Sequence, residues 1–412
     1  MTRTDRLAEY VIAALLTAIA LALGPLRLLL IARSSAPSIR DISMTVAMDT
    51  FLLVIVGAIL ALGRYRQFFF HLMVWTFPIA MLAGFEEIAG LTHLAERIAP
   101  ISDLSLLDKK GKGWPEHLLS DDRWAPVDQG QKLYRPWAGD GIFINELGLR
   151  TALPTPKSAD EWRVAISGGS AVWGSRVLDA DTIPADIQRL LQHTHPRITV
   201  FNFGIEGATL GAEITTLQRF RELYAIDEVL FYTGANDVFA AYLSETGANG
   251  KLDKFIAEAA GFELVKAARR LSAVLKGPSP TAVVEFERHL LPRILQNSSL
   301  RQGMIAADKY CRAAALRCEF ALQPTLVTRK NRVAPETKMT RTFELVFPGL
   351  AALTEAMYRD TIAAGPGDRV YDLSNIFERE GRPFFVDDVH VSEDGNRVIA
   401  EALLPILLRG AR

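Results

Sequence analysis

Near the C-terminus, the stretch FFVDDVHVSEDGNRVIA sets Asp387 three residues before His390. A carboxylate at that spacing can fix an imidazole's tautomer and stabilise its charged form. Far upstream, VAISGGSAVWG interrupts a short apolar run with Gly168, Gly169 and Ser170. A serine hydroxyl is a weak nucleophile until a neighbouring imidazole takes its proton. Two further small-residue turns lie between these stretches: NFGIEGAT at 202–209, with Gly204 and Gly207, and TGAND at 233–237, with Asn236. The backbone N–H groups of Ser170 and Gly207 and the side-chain amide of Asn236 are candidate donors to a developing oxyanion. Losing one such donor typically costs about 10²–10³ in rate. A glycine suits position 207 because its bare backbone can approach a substrate closely. The chemistry these residue types would perform is acyl transfer, with Ser170 as nucleophile, His390 as base and Asp387 as the orienting acid. Gly-Gly-Ser alone is an ordinary turn; four polar turns converging on one place would make a site.

That convergence requires a particular set of elements. WRVAISGG, RITVFNFG and DEVLFYTGAND read as short apolar strands ending in the first three turns, with IPADIQRLLQH and LGAEITTLQRFRELYA as amphipathic helices between them. RCEFALQPT and DRVYDLS continue the pattern, and GNRVIAEALLPILL closes the chain as a helix. Apolar strands alternating with amphipathic helices imply a parallel sheet covered on both faces. The expectation is an α/β fold: a three-layer, doubly wound, flavodoxin-like parallel sheet of about five strands, with ligands at the strands' C-terminal ends. Helical, charge-laced text at about 239–300 reads as an insertion beside the site. Residues 89–158, rich in Pro, Gly, Asp and Lys, read as a connector that packs on a catalytic domain at 159–412.

The four turns resemble, in order, the conserved blocks of the SGNH (GDSL-type) hydrolase superfamily. Ser170 in GGSAVWG matches the block-one serine, Gly207 in IEGAT the block-two glycine and Asn236 in GAND the block-three asparagine. Asp387 and His390 in DDVH match the block-five Asp-x-x-His. The resemblance covers roughly residues 130–412, and Asp-x-x-His followed by VSEDGNRVIA is its most specific part. It extends to bacterial members with N-terminal membrane helices and a YRPW-like segment, here 134–137. One position departs: the usual Gly-Asp-Ser is Gly168-Gly169-Ser170. The Gly-x-Ser-x-Gly elbow of α/β-hydrolases is not met, because Val172 stands at its second glycine.

With 46 basic and 47 acidic side chains in 412 residues, the chain has no charge excess of the kind that drives nucleic-acid binding. The apolar excess lies near the N-terminus. Residues 10–26, YVIAALLTAIALALGPL, carry no charge and continue past Arg27 as LLLIA, giving roughly the 20 residues a bilayer-spanning helix needs. Residues 44–63 and 68–85 are further candidates, so 1–88 reads as a membrane region of about three transmembrane helices. The alternative is two spans with one segment at the interface or on the soluble domain. Flanking Lys and Arg lean slightly toward an inside N-terminus and an exported C-terminal domain. With the resemblance to bacterial members, this implies a bacterial inner-membrane location and a periplasmic or extracytoplasmic catalytic domain.

Cys311 and Cys318 are too far apart to bridge on one continuous helix and read as two buried thiols. A disulfide stays open only if the helix ends before Cys318 begins the next strand. No Cys/His cluster has metal-ligand spacing, and neither metal nor cofactor is expected. Of the other histidines, His71 falls in an apolar span, His193 and His195 in a solvated loop, and His289 on a helix surface. Asp388 is the rival to Asp387, and reads as a turn cap. Asp237 reads as a turn or helix cap, and Asn202 as satisfying backbone groups of its own loop.

The leading expectation is a membrane-anchored serine esterase working through an acyl-enzyme. The resemblance implies an acetyl ester of a cell-envelope glycan as substrate class. One alternative keeps the site but passes the acyl group to an exopolysaccharide, which would require a membrane acyl-donor protein as partner. Another is an inactive SGNH domain that binds glycan as a scaffold. The partners expected are an acylated small molecule or glycan and the lipid bilayer.

Overall fold

The computed structural model describes residues 94–98, 124–126, 132–139, 141–192, 194–246 and 280–409, with isolated positions at 85, 89, 267–268, 271–272 and 274–275. The three spans expected within 1–88 lie outside the described residues, Phe85 apart. Among the described residues, no helix is long and apolar enough to cross a membrane. The described residues from Leu94 onward fall in one compact unit.

At the centre of that unit is a five-stranded parallel sheet: β1 Trp162–Gly168, β2 Ile198–Gly204, β3 Glu228–Thr233, β4 Arg317–Leu322 and β5 Val370–Asp372. Their order is β2-β1-β3-β4-β5, every neighbouring pair parallel. The chain moves outward from β1 to β2, then crosses back to place β3 on the other side. This reversal opens a crevice at the C-terminal ends of β1 and β3, where doubly wound sheets bind ligands. The strands are apolar on both sides because both faces are covered. Val164, Ile166, Leu230 and Tyr232 join one buried cluster, and Ala165, Val229, Phe231 and Phe320 the other. Phe231 and Phe320, paired across β3 and β4, stack with centroids 5.1 Å apart.

The helices divide between those clusters. A four-residue helix, α1 (Ser170–Trp173), follows β1 directly. Helices α2 (Ile183–Gln192) and α8 (Glu393–Leu408) cover one face with Ile183, Ile187, Ile399 and Leu403. On the other face lie α3 (Leu210–Tyr224), α5 (Ser299–Ala313) and α7 (Leu350–Ala364), burying Leu217, Met304 and Met357. Helix α4 (Ala235–Thr246) continues from β3, and α6 (Ala334–Val346) shares the β4-to-β5 crossover with α7. The sequence reading had marked neither α6 nor α7. The described part of the 239–300 insertion is helical, at Pro280–Glu285 and Leu291–Gln296 with a π-helical turn between them.

The two-thiol reading is corrected. Helix α5 stops at Ala313, Ala315 takes a left-handed backbone (φ 51°), and β4 begins at Arg317. This turn brings the Cα atoms of Cys311 and Cys318 to 6.1 Å, and the two are joined as a disulfide.

Glu228 opens β3 almost fully buried. Trp162 Nε1 donates to it at 3.0 Å, and Arg317 lies 3.4 Å away. Burial outweighs both and pushes its carboxyl up to about 7, against an ordinary value of 4.5. The folded chain therefore holds this proton more tightly than the unfolded chain. The resulting stability is fully present below the ordinary value and is lost as pH rises through about 7. Unfolding stability should fall between pH 5 and pH 8, with Glu228 contributing up to about 3 kcal/mol of the decline. In Glu228→Gln that contribution should vanish, which denaturant titrations of both proteins at the two pH values would measure.

Candidate active site

Ser170 lies two residues beyond β1, and its N–H belongs to the first helical turn, whose donors have no intrahelical partner. Gly169 O accepts from Val172 N and Trp173 N at 3.1 and 3.0 Å, and Ser170 O accepts from Gly174 N at 2.9 Å and Ser175 N at 3.0 Å. Asn202, on β2, clasps the helix from the side. Its Nδ2 donates to Val172 O at 3.0 Å and Trp173 O at 3.4 Å, while its Oδ1 accepts from Gly204 N at 2.9 Å. The expected backbone-satisfying role therefore extends beyond its own loop to the serine helix. A Cβ at Gly204 would lie 2.2 Å from Trp173 N, so only glycine permits this approach of β2 to α1.

Gly207, three residues past β2, has φ +70°, and a Cβ there would meet nothing within 4 Å. Asn236, three residues past β3 in the first turn of α4, donates from Nδ2 to Ala208 O at 2.8 Å. The Asn236 amide and the Gly207 turn are thereby tied together. Asp237, read as a cap, caps α3: its Oδ2 accepts from Leu210 N at 3.0 Å, at the start of that helix. Burial pushes its carboxyl up to about 6.

Asp387 and His390 come from the irregular chain before α8. His390 Nδ1 lies 2.9 and 2.8 Å from the two Asp387 oxygens, and Asp387 Oδ1 also accepts from the backbone of Val389 at 3.1 Å and His390 at 2.8 Å. With its proton on Nδ1, the ring presents an acceptor at Nε2, which is buried and has no hydrogen-bond partner among the described residues. Burial acts to lower the His390 pKa, but the Asp387 carboxylate and the charges of Asp388 and Glu206 outweigh it and hold the pKa above its ordinary value. Burial opposes ionisation of Asp387 too, yet the His390 charge and hydrogen bonds hold its pKa low. Asp388 does not share the ring. Its carbonyl accepts from Leu326 N at 2.8 Å, pinning this segment to the loop after β4. Burial first, then the adjacent Asp387 charge, push its carboxyl up to about 7.

The sequence reading missed the groups that hold this segment. Glu336 of α6, fully buried, accepts on Oε1 from Arg329 at 2.7 Å and from the backbone N–H groups of Phe384 at 2.9 Å and Phe385 at 3.2 Å. Arg329 donates onward to the carbonyls of Glu380 at 2.7 Å and Arg382 at 3.2 Å. Leaving one partner of such a buried pair alone costs about 3–5 kcal/mol. Also unforeseen was Arg150, in the connector. It donates to the carbonyls of Trp173 at 3.1 Å, Gly174 at 2.7 Å and Val177 at 2.8 Å, and to Asp179 at 2.6 Å. The signal for these groups was weak: a charged residue inside otherwise ordinary loop or helix text. His195 bonds Thr194 at 2.9 Å and His289 is exposed, as their loop and helix-surface readings imply. His71 and His193 lie outside the described residues.

A doubly wound sheet with a serine turn, a glycine turn, an asparagine turn and a His–Asp pair at one edge defines a hydrolase of the SGNH class. Residues 165–403 match the GDSL-like lipase/acylhydrolase family, and the chain belongs to it as an ester-hydrolysing enzyme. Among solved structures it is similar to the acetyl xylan esterase AlAXEase (12% identity, 59% of this chain and 98% of that one, TM-score 0.34). It is similar also to a carbohydrate acetylesterase family member from Sinorhizobium meliloti (14%, 60% and 98%, 0.32). A third is TesA (14%, 60% and 97%, 0.35). Among curated proteins none matches the chain.

The departure at Gly169 has a steric account. Its backbone (φ −82°, ψ −151°) would accept any residue, but a Cβ there would lie 2.2 Å from Asn236 Nδ2. The amide fills the space a side chain would need. Gly169→Asp, which restores the family's usual Gly-Asp-Ser, should therefore displace Asn236 and lower kcat toward the roughly 10²–10³ loss of a missing oxyanion donor. Asn236→Ala, assayed beside it on a p-nitrophenyl ester, gives the reference loss; a fully active Gly169→Asp enzyme would refute the steric account.

Proposed function

We propose that the chain is a membrane-anchored serine esterase that removes an O-acyl group, an acetyl in the first instance, from a cell-envelope glycan. The observation that carries the catalytic part is the His390 ring, bonded through Nδ1 to both Asp387 oxygens with Nε2 left as a buried acceptor that has no partner among the described residues. Ser170 Oγ attacks the ester carbonyl while His390 Nε2 takes its proton. The tetrahedral oxyanion receives hydrogen bonds from the N–H groups of Ser170 and Gly207 and from the Asn236 amide. Collapse expels the sugar hydroxyl, which takes the proton from His390 and leaves an acyl-enzyme. Water then attacks that ester, giving its proton to His390. Collapse of the second tetrahedral intermediate releases the acid as the proton returns to Ser170 Oγ. Asp387 holds the ring and stabilises its charged form throughout, without taking its proton.

Two features support the setting. Disulfides persist in exported proteins and are rare in reducing compartments, so the Cys311–Cys318 bridge favours a catalytic domain outside the cytoplasm. The uncharged run at 10–26 and the apolar segments after it favour an anchor in the bilayer. The glycan acetyl ester rests on the resemblance to bacterial envelope proteins of this superfamily.

Purified Ser170→Ala and His390→Ala variants should lose hydrolysis of p-nitrophenyl acetate by about 10³-fold or more. Either variant retaining the wild-type rate would refute the assignment. Acetate release from acetylated envelope glycan, set against transfer to an unacetylated acceptor, distinguishes hydrolysis from acyl transfer. Transfer without release would overturn the esterase reading and leave the nucleophile in place.

A further inference from the structure

Glu206 sits between Ile205 and the Gly207 turn, and its side chain has two partners from distant parts of the chain. One carboxylate oxygen accepts from the Tyr134 hydroxyl and the other from the Ser175 hydroxyl. Ser175 is the residue whose N–H closes the Ser170 helix onto Ser170 O at 3.0 Å. Tyr134 comes from the connector, is buried, and stacks on Trp173 of the same helix with centroids 4.6 Å apart. On its other side the Gly207 turn is held by Ile205 N donating to Gly168 O at 3.0 Å and by the Asn236 amide on Ala208 O. The turn is thus fastened to the end of β1, to α4 and, through the Glu206 side chain, to the far end of the serine helix. A neutral side chain would serve poorly, because two hydroxyl donors converge on it and hydrogen bonds to an ionised acceptor are about twice as strong as neutral ones.

We propose that Glu206 is a positioning residue for the reaction: bonded at once to the serine helix and to the connector, its carboxylate sets the Gly207 N–H in register with Ser170. Glu206 touches no reacting atom and acts through the turn it holds. A displacement of a few tenths of an ångström at an oxyanion donor weakens the transition state more than the ground state, so the effect belongs in kcat. This inference rests on the esterase reading above.

Its charge adds a signature that a purely structural role would lack. The charged and titratable groups acting on His390 are Asp387 and Asp388 of its own segment and Glu206 from the turn after β2, and each favours the imidazolium. Removing the Glu206 charge should lower the His390 pKa and move the acid limb of kcat/KM, below which the base is protonated, to lower pH.

The experiment measures p-nitrophenyl acetate hydrolysis by the full chain across pH for Glu206→Gln, Tyr134→Phe, Ser175→Ala and Ser170→Ala. Glu206→Gln is expected to lower kcat about 10- to 10²-fold, with KM changed by less than about 3-fold, and to shift the acid limb downward. Tyr134→Phe and Ser175→Ala keep the charge and should lower kcat without moving the limb. Wild-type kcat and an unmoved limb in Glu206→Gln overturn the inference. If that variant does not fold, wild-type kcat in both Tyr134→Phe and Ser175→Ala overturns it instead. These failures with an inert Ser170→Ala sink the inference alone; a Ser170→Ala enzyme at the wild-type rate removes the esterase reading and the inference together.

Discussion

A helix of four residues cannot sustain itself. Its nucleus fixes several dihedral angles for each hydrogen bond gained, and four residues leave almost no propagation to compensate. The helix Ser170–Trp173 therefore takes its position from its surroundings, and those surroundings are polar and buried. Asn202 reaches its carbonyls from β2, Arg150 satisfies the carbonyls at and beyond its C-terminal end, and the Arg150 guanidinium lies 4.7 Å from the Trp173 ring centroid. A cation at that end also suits the helix dipole. Tyr134 stacks on the same indole. Trp173 is thus held by two residues of a segment whose sequence has no regular period.

The same device recurs across the crevice. The residues around Asp387 and His390 belong to no helix and to no strand of the main sheet; Phe385 and Val391 make only an isolated antiparallel bridge. Their stability comes from Glu336 and Arg329, a buried ion pair that collects the loop's N–H groups on one side and its carbonyls on the other. Ser170 and the Asp387–His390 pair therefore stand on chain too irregular to position itself, and each is held by a buried charged group with most of its hydrogen bonds satisfied. Such preorganisation matters where donors must meet charge that develops only in the transition state.

What could be read in the sequence follows from this division. Regular structure announces itself by period, so the five strands and helices α2, α3 and α8 were recognisable as alternating apolar and amphipathic text. Helices α6 and α7 were not, because their polar buried residues, Glu336, Thr340, Thr354 and Thr361, blur the apolar stripe. The turns carrying Ser170, Gly207, Asn236, Asp387 and His390 were legible by residue type and order. Arg150, Glu206, Arg329 and Glu336 were not, since a charged residue becomes a hydrogen-bonding hub only through partners as much as 72 positions away in the chain. The disulfide hinged on a left-handed Ala315, a conformation alanine rarely takes and no local pattern foretells.

The clasp on Trp173 also separates two objects that usually share a boundary. The inherited signature of the family runs from 165 to 403. The physical body that keeps the serine in place reaches back at least to Tyr134 and Arg150, which that signature omits. The smallest recognisable piece of this enzyme is therefore smaller than its smallest cooperative piece. Motion arriving along the polypeptide from before Tyr134 would have a direct material route to Ser170.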